Sequence, residues 1–144
     1  INLSELKLSV RSSLGEQSCN SQNLKVGKKM VSAKKNATAI VWFRQDLRVH
    51  DNPTLHAAQS DGDILPIYIL DDVNAGAWKM GGASRVWLHQ SLHDLNRSLG
   101  GKLRIFCGDA SEILLKLVEE TKAQSVHWSR CYEPWRIARD KKIK

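Results

Sequence analysis

Four short apolar runs alternate with segments of helical periodicity, joined by only a few residues each, and this pattern limits the chain more than any other feature. The runs are Thr38 to Phe43, Ile64 to Leu70, Leu103 to Cys107 and Ser125 to Ser129. Between them lie a helix starting at Asn52-Pro53, a longer one capped by Ser84, and a third behind Asp109. Asparagine before proline is a helix start: a capping side chain, then a residue whose missing N–H costs nothing at the first helical position. Leu88, Leu92, Leu95 and Leu99 fall on one face, and Gly100-Gly101 ends that helix. Asp109 and Glu112 have capping-box spacing, with an apolar stripe of Ile113, Leu114, Leu117 and Val118 behind them. A fourth helix, basic in character, starts at Trp135. Strands separated by helices with short connections form a parallel sheet covered on both faces. The fold class is therefore α/β, an open parallel sheet flanked by helices.

The stretch Ile40 to Pro53, IVWFRQDLRVHDNP, is where this pattern meets chemistry. A run apolar enough to be buried on both faces passes directly into Arg44, Gln45, Asp46 and Arg48. In open parallel sheets ligands bind at the carboxyl ends of the strands. Asp71 and Asp72 follow the second run, and Arg130, Cys131, Tyr132 and Glu133 follow the fourth, so parallel strands would bring these groups to one edge. The alternative is an internal ion-pair network, for example Arg48 with Asp46 or Glu133, that merely fixes the loops. Trp78, Tyr132 and Trp135 near the same edge favour a planar heteroaromatic ligand.

Several chemistries find no support. Neither G-x-G-x-x-G nor G-x-x-x-x-G-K-[ST] occurs, and Gly81-Gly82 reads as a turn. His89 and His93 are four apart, but no third metal ligand accompanies them. Cys19, Cys107 and Cys131 are odd in number and show no C-x-x-C pairing, which reads as reduced thiols. The net charge of +7 invites a nucleic-acid reading, but its distribution weakens it. Residues 1–36 hold seven Lys/Arg against two Asp/Glu, and residues 135–144 hold five against one, leaving the body slightly acidic.

The chain begins with Ile1, so its front reads as incomplete. Residues 1–36, rich in Ser, Asn, Gln and Lys, read as a disordered or non-native extension. They lack a secretory core and are weakly compatible with a transit peptide; Met30 is an alternative start.

WFRQDLRVHDNPTL (Trp42 to Leu55) resembles the opening motif of the DNA photolyase/cryptochrome family. The resemblance continues in register through LPIYILDD, GGASRVWLHQSLHDL and YEPWRIARD, over roughly residues 38–144. It is closer to a cyclobutane-dimer photolyase than to an animal cryptochrome. It implies that residues 37–144 are the N-terminal α/β domain that holds a light-harvesting antenna, truncated before the family's fifth strand. The family's catalytic FAD, its tryptophan electron-transfer chain and its lesion pocket belong to a C-terminal helical domain. The parent would then be a deoxyribodipyrimidine photo-lyase, a carbon-carbon lyase, and this portion alone would be inactive. Implied partners are UV-damaged DNA and the chain's own helical domain, with no membrane and a monomeric state. The implied location is cytoplasmic, with nucleus or organelle if the source is eukaryotic.

The resemblance gives candidate antenna-binding residues Arg44, Asp46, Arg48, Trp78, Cys131, Tyr132, Glu133, Trp135 and Arg136. Folate-binding members resemble Y-E-V-N-E after the fourth strand, where this chain has Trp135 and Arg136 at the pterin-contacting positions. Trp78 stands where those members stack a histidine on the folate. The Glu133-Pro134 step is similar to members holding a deazaflavin or FMN, so the antenna is of deazaflavin, FMN or folate type. The competing reading is a cryptochrome-type photoreceptor or another flavodoxin-like nucleotide-binding module without repair activity.

Overall fold

The computed structural model describes residues 37–144; the extension and Cys19 lie outside the described residues. Nine elements follow in order: β1 (Thr38–Phe43), α1 (Pro53–Gln59), β2 (Asp63–Leu70), a 3₁₀ turn (Gly76–Trp78), α2 (Gly82–Ser98), β3 (Arg104–Cys107), α3 (Ala110–Thr121), β4 (Ser125–Trp128) and α4 (Pro134–Ile143). The sheet has the order β3-β2-β1-β4, and every neighbouring pair is parallel.

That order follows from the connections. The chain steps from β1 to β2 to β3 through α1 and α2, then crosses back through α3 to place β4 on the other side of β1. Side chains alternate across β1, so Ala39, Val41 and Phe43 pack with Leu55, Ala58, Leu92 and Leu95 of α1 and α2. Ile40 and Trp42 pack with Ala110, Leu114 and Leu117 of α3. Ala39 to Phe43 are essentially inaccessible to solvent, and burying each large one contributes about 1.5–3 kcal/mol. β1 is thus the axis of both cores.

The helix starts show why the polar residues lie where they do. Asn52 accepts from the backbone N–H groups of Thr54 and Leu55 at 3.0 and 3.2 Å. Asp109 accepts from Ser111 and Glu112 at 2.7 and 3.4 Å. Ser84 does not cap α2: the helix begins two residues earlier at Gly82, with Gly81 as an extended N-cap that offers no side chain. Leu88, Leu92, Leu95 and Leu99 of α2 pack on the core, and tertiary packing overrides the better capping residue. β3 and β4 are each one residue shorter than the sequence suggests, and α4 takes Pro134 as its first residue.

Gly62 occupies a position that only glycine fits. Its φ is +143°, and an added Cβ would lie 1.9 Å from the Ala37 carbonyl oxygen. The turn from α1 into β2 passes this close because Asp63 donates its backbone N–H to that same carbonyl at 2.8 Å.

Candidate chromophore site at the carboxyl edge of the sheet

The topological switch lies between β1 and β4, where an open crevice is expected. Here it is filled. Asp46, just past β1, accepts from the Arg44 backbone N–H at 3.2 Å and from the Ser129 hydroxyl at 2.5 Å. Ser129 in turn meets the Thr54 hydroxyl at 2.8 Å. Asp46 therefore ties the end of β1 to the end of β4 and the start of α1.

Beside it runs a buried ionic chain. Arg44 holds Asp140 of α4 with two bonds, 2.7 and 2.9 Å. Arg139 reaches Asp140 at 3.2 Å and Asp71 at 3.0 Å. Both guanidinium groups lie over the Trp42 ring, at 3.9 and 4.7 Å from its centroid, and Trp128 meets Trp42 edge-on at 6.0 Å. Burial pushes the Asp140 carboxyl up, but the bonds and charges of Arg44 and Arg139 outweigh it and hold the group below its usual 3.8. An ion-pair network does exist at this edge, then, but not the one expected. The Arg48 guanidinium donates to the Asp51 carbonyl at 3.2 Å and reaches neither carboxylate, while Glu133 pairs with Arg136 and accepts from Gln45 at 3.2 Å. Arg44 directly follows β1 and is buried there together with Asp71, Arg139 and Asp140.

With the switch point closed, the open space shifts to the ends of β1 and β2. A cavity of about 300 Å³ lies there, under the first turns of α2 and the N-terminal half of α4. Its wall contains Trp42, Trp78, Trp87 and Trp135, together with Tyr68, Arg44, Asp71, Asp72, Arg136 and Arg139. This volume is at the lower end for small-molecule sites, and apolar aromatic walls with a few polar groups are their common lining. Trp78 and Trp87 remain 78% and 75% exposed at its rim. Burial pushes the Tyr68 phenol up to about 12, so it is a neutral hydrogen-bonding group at any physiological pH.

The structure brings together four of the nine candidate residues, Arg44, Trp78, Trp135 and Arg136, in this cavity. The other five lie elsewhere. Asp46 closes the switch point, and Glu133 is the N-cap residue of α4. Arg48 lines an open groove of about 940 Å³ along α1. Cys131 and the exposed Tyr132 line a third cavity, about 580 Å³, on the outer flank of β4. Sequence reasoning missed Trp87, Tyr68 and Arg139. Trp87 lies within a recognised motif, but helical phase alone places it beside the leucine stripe and not on it. His89 and His93 are exposed, and no cluster of metal-ligating residues occurs among the described residues. Cys107 and Cys131 form no disulfide.

The sequence profile of the DNA photolyase family matches residues 39–144. The chain belongs to the DNA photolyase family. It is 46% identical over 114 residues to a deoxyribodipyrimidine photo-lyase of Agrobacterium fabrum, covering 76% of this chain and 23% of that protein. It is 37% identical to cryptochrome-1 of Sinapis alba, over 76% of this chain and 23% of the relative. Among solved structures, a class III photolyase of Agrobacterium tumefaciens superimposes with a TM-score of 0.71 at 44% identity, over 81% of this chain and 24% of that one. The chain thus spans about a quarter of the length of the relatives it matches. The parallel sheet flanked by helices agrees with an N-terminal α/β domain of that family. No helix among the described residues is long and apolar enough to cross a membrane.

Proposed function

We propose that this chain is the antenna-chromophore-binding N-terminal domain of a light-dependent DNA repair enzyme, a deoxyribodipyrimidine photo-lyase. The observation that carries the reading is the tryptophan-walled cavity at the carboxyl ends of β1 and β2, in a chain of the DNA photolyase family. The 46% identity to a deoxyribodipyrimidine photo-lyase supports repair as the parent's activity. The flat indole faces at the rim of the cavity fit a planar heteroaromatic group.

In this reading Trp78 and Trp135 offer stacking surfaces, and Arg136 adds positive charge beside Trp135, 5.0 Å from its ring centroid. Arg44 acts at one remove, because its bonds to Asp140 fix α4 against the strand end. A bound antenna, of deazaflavin, FMN or folate type, would absorb near-ultraviolet or blue light and pass the excitation onward. The catalytic FAD, the flipped pyrimidine dimer and the damaged duplex belong to a helical domain outside residues 37–144. The protein carrying this domain would be a cytoplasmic monomer acting on UV-damaged DNA, with residues 1–36 a non-native or disordered extension.

A second reading, a cryptochrome-type photoreceptor, is favoured by the 37% identity to cryptochrome-1 of Sinapis alba and by the Synechocystis cryptochrome fold, TM-score 0.68 at 26% identity. Illuminating the full-length protein with an oligonucleotide containing one cyclobutane dimer separates them. Photolyase predicts loss of the dimer under blue light and none in the dark; retained FAD with an intact dimer supports the photoreceptor.

A further inference from the structure

We propose that Arg44 and Arg139 keep Trp42 from giving up an electron, so that light energy absorbed beside it is passed on and not quenched. This rests on the chromophore-binding reading and concerns what the surrounding side chains do while excitation is held there. Indoles are among the side chains most readily oxidised by one electron, and an excited aromatic ring is a strong oxidant. The wasteful step would carry one electron from an indole to the excited ring and leave a positive charge on the tryptophan. The proposal is that the packing around Trp42 opposes that charge.

The indoles fall into two groups. Trp42 carries Arg44 and Arg139, Trp128 has Arg44 at 5.5 Å from its centroid, and Trp135 faces Arg136 at 5.0 Å and Arg139 at 5.2 Å. Trp78 and Trp87, at the exposed rim, have no guanidinium over them among the described residues. Significant cation–π contacts occur about once per 70–80 residues, so cover on three of the chain's five tryptophans is a concentration. A fixed positive charge against a ring raises the energy of the ring's own positive state, and the more so where water is excluded. Trp42 is fully buried, and the two guanidinium groups in contact with it are pinned by Asp140 and Asp71. Its Nε1–H has no hydrogen-bond partner, a buried orphan that calls for an explanation. An oxidised indole is acidic and is trapped when a neighbouring base takes that proton. Here no acceptor is in place to take it, and no carboxylate bonds the indole.

The test is the excited-state lifetime of FMN or methenyltetrahydrofolate bound to the full-length protein, by time-resolved fluorescence. Arg139→Gln is the informative variant. It removes one cation from the ring, yet Asp140 keeps both bonds from Arg44 and Asp71 keeps its bonds from Asn74, at 3.0 Å. Its lifetime is expected to shorten about twofold or more, because a unit charge this close shifts the energy of the oxidised ring by more than RT. Arg139→Lys, which keeps the charge, should stay near wild type. Adding Trp42→Phe to Arg139→Gln should restore the long lifetime, an outcome that a merely structural role for Arg139 does not produce. Where Arg139→Gln fails to fold by its melting curve, Arg139→Gln with Asp71→Asn removes the ion pair as a unit and is read in the same way. A bound probe whose lifetime is unchanged in the folded variant overturns this inference and leaves the chromophore reading standing. Shortening that persists without Trp42 overturns it as well, since the electron then comes from elsewhere. Failure of both probes to bind wild type overturns the chromophore reading, and this inference with it.

Discussion

Replacing Asp140 with alanine would leave two guanidinium groups, Arg44 and Arg139, facing each other over the Trp42 ring without their shared counter-charge. Removing one partner of a buried ion pair costs about 3–5 kcal/mol, chiefly because the other charge stays desolvated. Chemical denaturation should show Asp140→Ala at that level, against less than about 1 kcal/mol for an exposed pair such as Arg97–Asp94. The same group gives a pH dependence. Asp140 lies below its ordinary 3.8 in the folded state, so it binds its proton more weakly there than in the unfolded chain. Its contribution is present above about pH 4 and is lost as pH falls through the folded value. Melting temperature measured from pH 7 to pH 3 should fall, and Asp140→Asn should fall less steeply from a lower start. At this scale the sequence was half informative. Arg44 was visible as a charge at a buried strand end, but its partner stands 96 positions later, and nothing local connects them.

The elements were the most legible part, because their signals are local. Asn52-Pro53 marks the start of α1, and the structure adds that the Asn52 side chain also donates to the Arg48 carbonyl at 3.0 Å. Asn52→Ala therefore removes a cap and a loop brace together. Its cost should be at the upper end of the range of about 0.5–2 kcal/mol for caps, measured by urea unfolding. The start of α2 was misplaced since Ser84 looks like a cap while Gly81 does not, and packing of the leucine face decides the matter. Gly62 can be tested in the same way. Gly62→Ala places a Cβ against the Ala37 carbonyl and should destabilise by well over about 1 kcal/mol. Gly81, whose surroundings are open, should accept alanine with little change.

For the whole molecule, strand alternation was enough to predict a parallel sheet, but not where its open crevice would be. The strand order puts the switch point between β1 and β4, and the general rule places a ligand there. Asp46, Ser129 and Thr54 fill that position with a hydrogen-bonded plug, and the cavity forms on the β1–β2 side. Five of nine candidate residues therefore lie away from it, although every one of them does follow a strand or a motif as expected. Which loop closes a crevice depends on side-chain pairing between segments some 80 residues apart, and a single sequence carries no record of such pairing. In the proposed function this cavity holds the light-harvesting group. The most direct measurement is the ratio of bound non-FAD chromophore to protein, by absorbance, in the full-length protein and in its Trp135→Ala and Trp78→Ala forms. The expected ratio is near one for wild type, with a clear loss in both variants. Full occupancy in both would contradict it.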